Sequence, residues 1–179
     1  ANQIKPQTSV SETGYYRGAA FTIRWTNFSL SGFGSYLKND GTSVVFDSLT
    51  GKPLTFGSIN KSGLHRTISE IENRKKISEK TAGGFLVYQN QWLKTGIIAV
   101  YNRFEAAIES NGRAYSRFGL TGKENLISGF SATIWLPGIY LFNESSISRN
   151  KGFATVSGLQ FQPVPGVSIF LAHRYFSTE

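Results

Sequence analysis

The chain has 179 residues, 17% of them charged and 14% aromatic, with 19 glycines and a formal charge of +8. That length suits one ordinary domain rather than two, and the charged fraction falls below the quarter or so usual in soluble globules, so the composition leans towards β structure beside a nonaqueous neighbour. The lack of cysteine excludes disulfides, thiolate metal sites and cysteine nucleophiles, and no run approaches the roughly 18 apolar residues of a spanning helix, which leaves any membrane reading to strands.

Residues 1–13 are polar, carry Pro6 and read as an irregular lead-in without the charged and apolar regions of a signal peptide. Next, Ala19, Phe21, Ile23 and Trp25 alternate with Ala20, Thr22, Arg24 and Thr26, over about the 9 to 11 residues with which a tilted strand crosses a hydrocarbon core. A tight link at Thr26-Asn27 leads into Phe28, Leu30, Gly32, Gly34 and Tyr36, opposed by Ser29, Ser31, Phe33 and Ser35, a serine face suited to a wet interior. Residues 38–80 are a long insertion without sustained alternation. Within it, 43–46 and 54–56 are set for a short hairpin around Thr50-Gly51-Lys52-Pro53, and Thr67 with Glu70 has capping-box spacing. The pattern predicts a helix of about three turns over 67–79, with a small stripe of Ile68 and Ile71 and an acidic-then-basic order that suits the helix dipole.

Strands resume at 82–88 and 92–104, where Leu93, Thr95, Ile97, Ala99 and Tyr101 face away from Lys94, Gly96 and Ile98. After a second polar connection at 105–123, residues 128–136 set Phe130, Ala132, Ile134 and Leu136 against Ser131, Thr133 and Trp135, turn at Pro137-Gly138, and return over 139–147. The most regular unit is 151–176, two runs folded at Pro163-Val164-Pro165-Gly166, where proline supplies no N–H to continue a ladder. Phe153, Thr155, Ser157, Leu159 and Phe161 oppose Ala154, Val156, Gly158 and Gln160 in the first run. Val167, Ile169, Leu171, His173 and Tyr175 oppose Ser168, Phe170, Ala172 and Arg174 in the second.

Eight strands result, with tight turns near 27, 90, 137 and 164 and long connections at 38–80 and 105–123, an asymmetry typical of outer-membrane barrels. The expectation is an all-β, antiparallel up-and-down transmembrane β-barrel, one domain over 1–179 or part of a larger barrel, with 38–80 external. Trp25, Trp92, Trp135, Tyr101, Tyr140 and Tyr175 lie near strand ends and suggest interfacial girdles. Arg24, Lys94, Glu144 and Arg174 are expected to face a hydrated lumen, Glu144 pairing with Arg24 or Arg174, while His65, Arg66, Glu70, Arg74 and Lys75 belong to the external loop. A soluble lipocalin-like ligand-binding barrel shows the same alternation, since alternation alone does not say whether the apolar face meets a core or lipid.

His65 and His173 are the only histidines, and neither has another His, Asp or Glu at ligand spacing, so no metal, no cofactor and no enzymatic activity are expected. The enzymatic alternative is an outer-membrane barrel hydrolase in which His65 works with Ser62 or Ser69, or with Asp40 or Asp47. Gly32-Phe33-Gly34 opens no helix and fails as a phosphate loop. The clusters Arg74-Lys75-Lys76 and Arg103, Arg113, Arg117, the latter interleaved with Phe104, Tyr115 and Phe118, are read as solvated loop faces, and nucleic acid is not expected as a partner.

Ser62-Gly63-Leu64-His65-Arg66-Thr67, followed by Glu70, Arg74-Lys75, Glu79 and Gly83-Gly84, resembles the barrel part of a family of large Bacteroidota outer-membrane proteins that carry helix-hairpin-helix segments ahead of a β-barrel. Ser31-Gly32-Phe33-Gly34-Ser35, Phe142-Asn143-Glu144, Gly158-Leu159 and His173-Arg174-Tyr175 fit the same resemblance. It implies a bacterial outer-membrane location and a piece of a larger barrel, since the chain passes Phe176 and ends at Ser177-Thr178-Glu179; the function expected of such a barrel is a structural or transport role, as a subunit of a larger envelope complex. The implied partners are outer-membrane lipid, other envelope proteins or the remaining strands; no catalytic residue is implied.

Overall fold

A computed structural model describes residues 15–42, 44–60, 65–109, 119–149 and 152–177. The strands are β1 (Gly18–Trp25), β2 (Phe28–Thr42), β3 (Val45–Phe46), β4 (Pro53–Phe56), β5 (Ser58–Asn60), β6 (Ile77–Gln89), β7 (Leu93–Ile108), β8 (Gly122–Leu136), β9 (Ile139–Ser148), β10 (Phe153–Val164) and β11 (Val167–Phe176), with one helix, α1 (Ile68–Glu72). The tight turns fall where polar and Pro/Gly dipeptides interrupt the alternation. Gly138 and Gly166 take φ of +73° and +87°, a backbone that only glycine adopts cheaply. Asn90 closes the β6–β7 turn by accepting from the Trp92 and Leu93 N–H groups, both at 2.8 Å.

The main path of the sheet is β1-β2-β6-β7-β8-β9-β10-β11, consecutive antiparallel strands with the insertion lodged between β2 and β6. It starts at β1 and stops at β11; among the described residues nothing pairs these two, and the sheet is not closed. The eight long strands are those expected, but four are longer: β2 runs on to Thr42, and β6 begins at Ile77, reducing the insertion.

The β3–β4 hairpin forms as the turn residues predict, with Val45 opposite Thr55. Two pairings were not foreseen: β5 lies antiparallel to the end of β2, Gly41 opposite Ile59, and β4 lies parallel to the end of β7, Thr55 beside Ala107. The helix is a correction. Its capping box is present, but it spans five residues rather than three turns, because Lys75 enters the left-handed region at φ +53° and Ile77 is drawn, fully buried, into the sheet. Two apolar residues on mostly charged faces bury too little to hold more turns.

The chain divides into two compact units, one of Ala1–Ala19, Phe33–Ala82 and Tyr101–Asn125, the other of Ala20–Gly32, Gly83–Val100 and Leu126–Glu179. The first holds the hydrophobic core: Phe56, Ile77, Phe104 and Ala106, with Val44, Ile59, Ile108 and Leu120 packed around them. Phe56 stands edge-on to Phe104 at 5.8 Å between ring centroids. In the second unit none of the described large apolar side chains is buried; Phe21, Ile23, Trp25, Phe130, Ile169 and Leu171 all lie exposed.

Candidate functional site

In the second unit the strand register sorts side chains onto two faces, because paired residues point to the same side of a sheet. Ser131 pairs with Glu144, Glu144 with Val156, and Val156 with Arg174, so Ser131, Glu144 and Arg174 share one cross-strand row. Lys94 joins that face through Gly96, whose Cα looks onto the Ser131 hydroxyl and the Val87 side chain. Arg24 joins it through Thr22, two residues along β1, whose hydroxyl meets Ser31 Oγ at 2.8 Å. Arg24, Lys94, Glu144 and Arg174 therefore lie on one face of the sheet. The expected ion pair is not made among the described residues: Val156 separates Glu144 from Arg174 by two strand spacings, about 10 Å, and Glu144 is not bonded to Arg24 either.

The opposite face carries Phe21, whose ring lies against the Cα of Gly32, and a ring row in which Trp25 stacks on Phe28 at 6.2 Å and Phe28 meets Tyr88 at 5.0 Å. Across β8 to β11 it continues through Ile134, Leu141, Leu159 and Leu171. Trp135 and Tyr140 are a correction to the girdle: they pair with each other, at 6.3 Å between rings, on the face of Ser131 and Arg174. Four polar residues on the apolar face, Asn143, Ser145, Thr155 and Ser157, bond to one another. Asn143 Nδ2 donates to Ser157 Oγ at 2.8 Å and Thr155 Oγ1 at 3.2 Å, and Ser145 Oγ donates to Asn143 Oδ1 at 3.1 Å. This network was invisible to period-two reading, which scores each strand alone.

In the first unit, the side-chain amide of Asn39 donates to Glu79 Oε2 at 2.6 Å, while Thr81 and Asn102 donate to Glu79 Oε1 at 3.1 and 3.2 Å. Three neighbouring strands are thereby tied through one part-buried carboxylate. Charge-assisted bonds of this kind are the stronger ones. Asn125 on β8 is buried with its Oδ1 unpartnered among the described residues.

Asp40, next along β2 from Asn39, gathers part of the insertion. Its Oδ2 lies 2.7 Å from His65 Nε2, and its Oδ1 accepts the Lys75 backbone N–H at 2.8 Å. The sequence named Asp40 among several candidate partners of His65, but not its bond to Lys75, 35 residues away. The N–H groups of Arg66 and Thr67 both donate to Glu70, and the Glu70 N–H returns a bond to the Thr67 hydroxyl. Arg74 remains exposed at the helix end, its N–H donating to the Ile71 carbonyl at 3.2 Å.

For hydrolysis the described residues supply an imidazole bonded to a carboxylate but no nucleophile beside it. Among the described residues no serine hydroxyl is bonded to His65, and Ser62 lies outside them. Asp47 is engaged elsewhere, holding the β3–β4 turn through the Thr50 hydroxyl at 2.7 Å and the Leu49 N–H at 3.0 Å. Those bonds, the Thr50 hydroxyl first, hold its carboxyl below the ordinary aspartate range.

Glu70 is likewise held below the ordinary glutamate range, chiefly by the Arg66 N–H and then by that of Thr67. A carboxylate whose pKa is lowered by folding stabilises at pH values above its unfolded pKa, and that support is lost as pH falls through the folded value. The Arg66 and Thr67 amide proton resonances are therefore expected to titrate together in acid, with a midpoint below the ordinary glutamate range. A midpoint at or above that range would show that the cap is not formed.

No family model, no curated protein and no solved structure matches this chain.

Proposed function

We infer that this chain is a β-sheet segment of an outer-membrane barrel, with a structural or transport role in a larger envelope complex, its apolar face against acyl chains and its polar face against water. The observation that supports this reading is the open apolar face of the second unit, where none of the described large apolar side chains is buried. On β1 and β2, Phe21 is 55% exposed and Ile23 and Trp25 are similarly open, while Ser31 on the other face is 1% exposed and bonded to Thr22. Water would favour the reverse arrangement, since burying apolar area is the main driving force for folding. A lipid phase removes that driving force and instead demands that polar groups find partners within the protein, which the Asn143 network does.

Every strand of the main path is long enough or nearly so: β1 has 8 residues, β9 and β11 have 10, β10 has 12, and β2, β6, β7 and β8 have 15, 13, 16 and 15, against about 9 to 11 for a tilted crossing. Among the described residues no helix is long and apolar enough to span, which says nothing of a strand-built crossing. The insertion and its Asp40 clasp belong on the external side in this reading, and the Bacteroidota outer-membrane family with helix-hairpin-helix segments remains the proposed kinship.

The test uses the three tryptophans. In a variant carrying Trp92→Phe and Trp135→Phe, Trp25 fluorescence is expected to be quenched by brominated acyl chains when the protein is refolded into vesicles. In the companion variant that keeps only Trp135, quenching should be weak, because that ring lies on the polar face. A monomer that stays in plain buffer, with Trp25 unaffected by brominated lipid, would overturn the assignment.

A further inference from the structure

Side-chain bonds fix the two faces at the insertion end of β2, β6 and β7, which are neighbours in the sheet. Asn39, Thr81 and Asn102 all bond to the Glu79 carboxylate, so the four share one face. Ile77, Phe104 and Ala106 alternate with them on that face, where Phe56 of the insertion packs. The residues in between, Lys38, Lys80 and Arg103, then point the other way, as does Tyr36, whose hydroxyl lies 3.4 Å from Ser78 Oγ. All three cations are exposed.

Along that outer face each strand grades from apolar to cationic. Alternate positions of β2 run Phe28, Leu30, Gly32, Gly34, Tyr36, Lys38; those of β7 end Ile97, Ala99, Tyr101, Arg103; those of β6, read towards its start, run Tyr88, Leu86, Gly84, Ala82, Lys80. Lys38 stands ten residues from Phe28, and Arg103 ten from Leu93. Ten residues cover about 34 Å along a strand, or about 25 Å across a bilayer at the usual tilt, which is the height of a barrel's apolar band. The ring row of Trp25, Phe28 and Tyr88 marks one end of that span. Tyrosines followed by cations mark the other, as at a membrane–water interface.

We propose that Lys38, Lys80 and Arg103 form a site for the phosphate of an anionic lipid headgroup on the insertion side of the bilayer. This rests on the membrane reading above. Like charges on neighbouring strands repel one another, and among the described residues none of the three is held in an ion pair. Of the carboxylates on the same face, Asp40 is bonded to His65 and the Lys75 N–H, and Glu124 accepts the Tyr101 hydroxyl. That leaves Glu105, two residues beyond Arg103, against three cations.

A lipid phosphate fits this place better than a dissolved anion. The insertion packs on the opposite face, so the cations are approached from the side on which Ala82, Ala99 and Ile97 meet acyl chains. A lipid brings its phosphate and its chains to that boundary together. Long lysine and arginine stems lie along apolar surface while their heads reach the polar layer. Arg103, grouped with loop arginines on sequence alone, lies within β7 and beside Tyr101 on the strand.

Because the chain has no cysteine, Ala82→Cys carries a single fluorophore on this face, two residues from Lys80. The protein is refolded into phosphatidylcholine vesicles holding a trace of nitroxide-labelled phosphatidylglycerol or, separately, of nitroxide-labelled phosphatidylcholine. The anionic lipid is expected to quench at least about fivefold more effectively, the gain from one cation near an anionic headgroup, and the preference should shrink as salt screens it. Changing Lys38, Lys80 and Arg103 together to Gln should bring the two lipids level. The charge-keeping set Lys38→Arg, Lys80→Arg and Arg103→Lys should retain the preference. A label at Ile97→Cys, six residues from Arg103 on β7, should report none.

Equal quenching by the two lipids at Ala82→Cys would overturn the proposal and leave the membrane reading standing. So would a preference that survives the Gln variant, or one that appears equally at Ile97→Cys and therefore reflects the charge of the whole chain. If neither lipid quenches either label, the chain is not in the bilayer, and the membrane reading fails together with the site.

Discussion

Leu171→Arg is expected to abolish folding into bilayers, whereas Ala172→Arg, one residue along and on the opposite face, is expected to be tolerated. Leu171 continues the apolar row of Leu159 and Leu141, while Ala172 lies in the row of Gly158 and Phe142. An arginine on the lipid face of a barrel costs about 2 to 4 kcal/mol near the midplane, enough to move an insertion equilibrium by roughly thirty- to a thousandfold. On a soluble sheet Leu171 would be a surface residue, and the same change would fall within about 0.5 kcal/mol. The assay is the folded fraction recovered with vesicles under urea titration. Equal tolerance of both variants would remove the lipid assignment, and the reverse order would exchange the two faces.

Phe56→Ala is expected to detach the insertion from β7 while leaving β9 to β11 intact. Phe56 is 1% exposed, packs on Phe104, and its carbonyl accepts the Glu109 N–H at 3.0 Å. Truncating a buried phenylalanine costs about 3 to 5 kcal/mol, a large share of what a core of four buried side chains supplies. Leu54→Ala, two residues away and exposed, should cost little. Amide exchange resolves the outcome: Glu109 should lose most of its protection while amides of β10 keep theirs. Loss of protection spread evenly through all strands would show that the insertion is not a separate element.

The eight long strands were readable because a strand's side-chain period of two is a local property. Val167 to Tyr175 needed no knowledge of their partners, and Pro137-Gly138 or Pro165-Gly166 marks a stop without them. The same locality explains the failures. The β4–β7 contact joins residue 55 to residue 107 in parallel, and no nearby pattern announces a pairing across fifty residues. The helix was overextended because the capping box fixes where a helix begins, whereas the burial of Ile77 fixed where extended chain resumed. Trp135 was assigned to a girdle from its position near a strand end, although alternation already set it beside Ser131; the register with Tyr140 keeps it on that polar face. Asp40 was one of several candidate partners for His65, and only the fold selected it over Asp47.

By itself the sequence determined the eight long strands, the positions of the tight turns between them and the separation of those strands into an apolar and a polar face, because backbone geometry imposes those on any alternating chain. The tertiary structure alone decided which apolar residues are sheltered: Phe56, Ile77, Phe104 and Ala106 in one unit, none of the described large ones in the other. Shelter requires a second layer brought from elsewhere in the chain. The insertion provides that layer for the ends of β6 and β7, and no described segment provides it for β1 or β11.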